Sequence, residues 1–103
     1  MMGCGDDCYL SEKDKKQDIL ICRTDYATAS IHINNKSIFL NANENIKHDK
    51  NEEIYTSGQY VLRLKMTYKK QVGSEDYDFK GTLTITSGEK ILYKQKVIGD
   101  GGC

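Results

Sequence analysis

Hydrophobic and polar positions alternate with a period of two through most of the chain after Asp18. Tyr60, Leu62, Leu64, Met66 and Tyr68 alternate with Val61, Arg63, Lys65, Thr67 and Lys69, the pattern of a strand with one apolar and one largely basic face. Phe79, Gly81, Leu83 and Ile85 alternate in the same way with Lys80, Thr82, Thr84 and Thr86. Ser87-Gly88-Glu89-Lys90 then supplies a turn into residues 91–97, which predicts a hairpin. Residues 29–33 and 37–41 predict a second hairpin around Asn34-Asn35-Lys36, because Asn tolerates the left-handed backbone of a tight turn. The polar stretch from Asn41 to Glu53 reads as a crossover loop between sheets.

Before Asp18 the pattern is different. Residues 1–17 are rich in Gly, Asp, Lys and Glu and predict a polar tether, with Ser11 and Asp14 placed to cap a short helix over Ser11–Gln17. Residues 18–103 then form a single β domain. Strands about ten residues apart, with no proline and no amphipathic helix, predict an all-β fold: an antiparallel β-sandwich of immunoglobulin-like type, or a small barrel. The sandwich is the favoured version, although the core tryptophan of immunoglobulin domains is missing.

Composition narrows the partners. The 103 residues carry 15 basic and 15 acidic side chains, interspersed along both halves, with a pI near 6.7. A mainly electrostatic partner such as a nucleic-acid backbone calls for a basic domain, so no nucleic-acid role is expected. With 38% hydrophobic residues and a mean hydropathy of −0.63, the core is modest and covalent staples would help it.

Four cysteines, Cys4, Cys8, Cys22 and Cys103, are many for a domain of this size, and none forms a CxxC pair. A disulfide framework with three open connectivities is the leading reading. Cys8 and Cys103 both lie in Gly/Asp-rich flanks that can reach a partner, whereas Cys22 shares a strand face with Leu20 and reads as a core thiol. A bridge from Cys103 to Cys8 or Cys22 would close a loop of about 80–95 residues and remove on the order of 4–5 kcal/mol of unfolded-state entropy. Cys8 with Cys103 is the pairing expected here, which leaves Cys22 free if Cys4 is modified.

Gly3-Cys4-Gly5-Asp6-Asp7 resembles the start of a mature bacterial lipoprotein, in which an acylated cysteine follows a small residue. The resemblance spans about five residues and implies lipid on Cys4, export, and a site in the periplasm or on the cell surface. Read from Met2, the same residues resemble a myristoylated and palmitoylated start, but Cys8 stands where that pattern wants Ser or Thr. Asn35-Lys36-Ser37 is a three-residue glycosylation acceptor that matters only in a eukaryotic secretory setting.

Chemistry-bearing constellations are few. The sequence has two histidines. His32 lies between Ile31 and Ile33 and reads as an outward polar residue, and His48 with Asp49, Glu52 or Glu53 lacks a dedicated ligand spacing. The sequence shows no phosphate loop, nucleophile elbow or HExxH, so no catalytic residue, metal or cofactor is expected. The segment 73–78 is the most informative polar feature. It brings Glu75, Asp76 and Asp78 around Tyr77 at what reads as an exposed hairpin tip, with Tyr77 as an anchor and the acids steering a basic partner. Three acids on one loop do not give the opposed carboxyls of a glycosidase. Arg63, Lys65, Lys69, Lys94 and Lys96 could form a basic stripe, or serve as solvated and edge-protecting lysines. Tyr9, Tyr26 and Tyr55 read as rings outside the core.

The expected function is a non-enzymatic exported binding module, monomeric, taking a protein or glycan through its loops. A tethered β domain of this size also resembles the periplasmic inhibitor and immunity proteins that plug cationic, lysozyme-like cell-wall hydrolases, with residues 73–78 in the cleft. A third reading is a self-associating surface protein that uses exposed edge strands.

Overall fold

A computed structural model describes residues 5–33, 35–43, 45–46 and 50–102. Eight antiparallel strands pair in chain order and close on themselves: β1 (Gly5–Tyr9), β2 (Cys22–Thr24), β3 (Thr28–Ile33), β4 (Lys36–Ala42), β5 (Glu52–Ser57), β6 (Tyr60–Gln71), β7 (Asp76–Ser87) and β8 (Lys90–Gly102). Of the two architectures the sequence allows, the barrel is the one formed. Closure comes from β1, which pairs β8 from Gly5↔Gly102 to Tyr9↔Ile98 and β2 from Asp6↔Thr24 to Cys8↔Cys22. The segment 1–17 is therefore not a tether throughout. Its Gly and Asp residues have low strand propensity, but Asp6 and Cys8 find partners on the inside of the sheet and override it.

Alternation assigns the faces. Leu62, Leu64, Phe79, Leu83, Ile85 and Val97 point inward with Ile31, Leu40 and Tyr55 to form one core, as expected for an eight-stranded barrel whose interior side chains can fill. The alternation in β6 breaks at a bulge between Met66 and Tyr68. An extra residue on one strand exchanges its faces. Tyr68 thus leaves the apolar row and stands 51% exposed, opposite Lys80, while Lys69 pairs with Phe79 on the inward row.

The connection from β4 to β5 joins neighbouring strands of one sheet and is no crossover between two. The turn between β3 and β4 keeps the expected left-handed asparagine at Asn35, φ 63°. Between β1 and β2 lies α1 (Glu12–Lys16), where Ser11 caps the helix by accepting from Asp14 N–H at 3.1 Å. No helix of the described residues is long and apolar enough to cross a membrane.

Candidate binding cleft and buried carboxyl pair

Register lines up residues from distant parts of the chain into rows around the barrel. One inward row runs Gln71, Tyr77, Gly101, Asp6, Thr24, Ala29 and Leu40 across seven strands. It lies near the rim where β1 starts and β8 ends, and it carries the buried polar chemistry. Asp6 is 1% and Thr24 2% exposed. Tyr77 donates a short hydrogen bond to Asp6 Oδ1, and Tyr26 Oη lies 3.1 Å from Tyr77 Oη. Thr24 Oγ1 sits 3.4 Å from Asp6 Oδ2 and 3.3 Å from Glu53 Oε1, which also accepts from Tyr55 Oη at 2.6 Å.

Thr24 has one hydroxyl proton for two carboxyls, so a second proton must be supplied. Glu53 supplies it: burial first, then the neighbouring Asp6, pushes its carboxyl up to about 8, against the donated bonds of Tyr55 and Thr24. Burial likewise holds the Tyr77 and Tyr55 hydroxyls well above their ordinary range, so they remain donors. The row closes around Asp6 because Gly101 brings no side chain; a Cβ there would overlap Asp6 Oδ1 and lie 2.9 Å from Tyr77 Oη. No buried side-chain nitrogen or oxygen of the described residues lacks a partner. The cluster can store a proton at neutral pH.

The outer wall carries a different row. Lys70, Asp78, Asp100, Asp7, Arg23, Ser30 and Phe39 follow one another in direct register from β6 round to β4. Three aspartates are adjacent in that row. Lys15 reaches across from α1 to Asp78 at 3.6 Å and Asp100 at 3.8 Å, and Arg23 pairs with Asp7 at 2.8 Å. Partial burial raises the Asp100 carboxyl, Lys15 opposes that rise, and Asp7 and Asp78 add to it. The row borders a cleft of about 850 Å³ that bends over the rim to Asp25, Asp76 and Tyr77. Asp7, Asp25, Asp76, Asp78 and Asp100 all line it, with Arg23 the one basic residue of its wall among the described residues, and exposed Phe39 and Val72 at its margins. The rim is held by Asp25, whose Oδ1 accepts from Ala27 N–H at 3.0 Å and Thr28 N–H at 2.6 Å. That turn keeps Tyr26 at φ 69° beside Tyr77.

The expected site residues are thus divided. Asp76 and Asp78 reach the cleft, and Glu75 is exposed in the turn before β7. Tyr77 is no exposed anchor. It is 7% exposed, packed 6.2 Å from the Phe79 ring and covered by the Lys69 ammonium at 3.9 Å, because β7 starts at Asp76 and alternation turns residue 77 inward. Tyr9 and Tyr55 are also buried rather than peripheral, at 4% and 1%. Lys69 leaves the basic stripe through the bulge, while Arg63, Lys65, Lys94 and Lys96 share the outer face. Cys8 lies buried on β1 opposite Cys22 with both thiols free, and not in a loose flank. Cys4, Cys103, His48 and Asp49 lie outside the described residues. His32 is exposed, as expected, with Nδ1 2.8 Å from Ser37 Oγ. No group of three or more His, Cys, Asp or Glu placed to hold a metal occurs among the described residues.

The acidic row was missed because Asp7, Asp78 and Asp100 are brought together by register alone. The carboxyl pair is not legible in the sequence because Glu53 ends a polar stretch that reads as loop, whereas it stands on β5. No protein-family model, curated protein or solved structure matches the chain.

Proposed function

We propose that the protein is a non-enzymatic, exported binding module whose outer cleft takes a cationic protein partner. The observation that carries this reading is the segregation of charge in a chain of zero net charge: among the described residues, five aspartates and one arginine line a single cleft. Such a surface steers a basic partner and fixes its orientation. Exposed Phe39, at 69%, and Val72, at 53%, supply apolar margins on which a partner side chain can settle. The reading retains Asp76 and Asp78 from the sequence-derived site and replaces Tyr77 by Phe39 and Val72.

A cationic, lysozyme-like cell-wall hydrolase is a partner of the right charge, which makes inhibition the specific form of the proposal. Lipid on Cys4 would place the module in the envelope where such enzymes act. Self-association through edge strands has less support, since each strand has a paired neighbour on both sides.

The test is titration of the protein with a cationic muramidase and, as a control, an acidic protein of similar size at 50 and 500 mM salt. The expected result is saturable binding of the muramidase alone, weakened at least tenfold at high salt, and weakened a further tenfold or more by Asp78→Lys with Asp100→Lys. Equal affinity of the wild type and the charge-reversed variant would remove the cleft from the interaction.

A further inference from the structure

Cys8 and Cys22 occupy directly opposed positions on adjacent antiparallel strands, and both are 0% exposed. Opposed residues of an antiparallel pair have Cα atoms about 4.5–5.5 Å apart, inside the range of roughly 4.4–6.8 Å that a disulfide spans. Both side chains point into the barrel, because Cys8 also faces Gly99 and Cys22 also faces Ile31 in the same inward row. We propose that Cys8 and Cys22 are joined by a disulfide, made during folding before β1 closes the barrel.

The geometry supports the order as well as the pairing. Once closed, the barrel hides both sulfurs, and the Cys8 thiol is raised well above its ordinary range, first by its hydrogen bond to Cys22 and then by burial. A thiol that is both buried and hard to ionise is a poor nucleophile, so exchange belongs to the open chain. The oxidant is an external disulfide, either a thiol–disulfide exchange protein or oxidised glutathione. One cysteine thiolate attacks it, forming a mixed disulfide and releasing one thiolate. The second cysteine thiolate then attacks the mixed disulfide, forms the Sγ–Sγ bond and releases the other thiolate. The two protons lost by Cys8 and Cys22 end on the two released thiols, and the external disulfide takes up the two electrons.

The bridge would tie β1 to β2 across a 13-residue interval that holds α1. It would fix the strand whose docking closes the sheet, and it gives Cys22 a partner where the sequence suggests a free core thiol.

The test uses the full chain and a Cys4→Ser/Cys103→Ser chain in which Cys8 and Cys22 are the two remaining thiols. Each is refolded from urea with oxidised glutathione, then denatured and alkylated. The doubly substituted chain should emerge unlabelled and about 2 Da lighter than its dithiol form. Its urea midpoint should rise by roughly 1–2 M over the reduced protein. The reduced folded protein should oxidise at least 100-fold more slowly than the unfolded one. In the full chain, peptide mapping should join Cys22 to the peptide carrying Cys8, and Cys8→Ala should free the Cys22 thiol. Label on both Cys8 and Cys22 after oxidative refolding of the doubly substituted chain, or a labelled Cys22 with Cys8 bound to Cys4 or Cys103 in the full chain, would overturn the assignment. These mass readouts hold on the native cysteines even if the alanine variant fails to fold.

Discussion

Replacing Glu53 by Gln separates the proton on this carboxyl from its shape. A group whose folded pKa lies above its unfolded one stabilises the fold fully below the unfolded value, and that contribution is lost as pH rises through the folded value. For Glu53 the window runs from its ordinary 4.5 to about 8. At about 1.4 kcal/mol for each factor of ten in the proton equilibrium, the ceiling of the effect is about 5 kcal/mol. Glu53 is only half-buried and water screens part of the effect, so we expect the wild type to lose roughly 2–3 kcal/mol between pH 5 and pH 8.5. The variant keeps a neutral head group whose oxygen can accept from Tyr55 and whose NH₂ can donate to Asp6, and its stability should stay flat over that range. Urea unfolding followed by far-ultraviolet circular dichroism suits a chain without tryptophan. The histidines are common to both proteins and cancel in the difference. Parallel pH profiles for wild type and Glu53→Gln would refute the argument, as would a variant less stable than wild type by 2 kcal/mol or more at pH 6.

Gly101→Ala places a methyl against Asp6 Oδ1 and Tyr77 Oη, and should cost roughly 3 kcal/mol or more in chemical denaturation through overpacking and the broken network. Phe79→Ala removes a ring that is 2% exposed from the core and should cost about 3–5 kcal/mol by the same assay. Phe39→Ala, at 69% exposure, should change stability by no more than about 0.5 kcal/mol while weakening capture of a cationic partner. An unchanged affinity would take Phe39 out of the cleft's margin.

The β class could be read from the chain because β6, β7 and β8 are long and their inward residues are the large apolar ones: Leu62 and Leu64, Phe79 and Leu83, Val97. Closure could not be read. It depends on Gly5-Asp6-Asp7-Cys8, whose composition argues for loop and which becomes a strand because Gly99 leaves space for the Asp7 carbonyl and the Phe79 ring and Gly101 leaves space for the Asp6 side chain. The same long-range pairing conceals the chemistry. Asp6 and Glu53 are far apart in sequence and meet across the interior through Thr24. Tyr77 is concealed by the local pattern: residues 73–78 read as one hairpin tip, although the strand already begins at Asp76. Tyr68 and Lys69 were exchanged between faces by a bulge that no alternation pattern announces.

Because β1 and β8 are neighbours, Gly5 and Gly102 stand side by side at one rim. A load drawn between these two points acts across the β1–β8 ladder and reaches its hydrogen bonds one pair at a time, from Gly5↔Gly102 toward Tyr9↔Ile98. The barrel is therefore mechanically soft along this direction and opens as a zipper. Were the same load applied between Gly5 and the turn at Gly58, it would have to shear several ladders together.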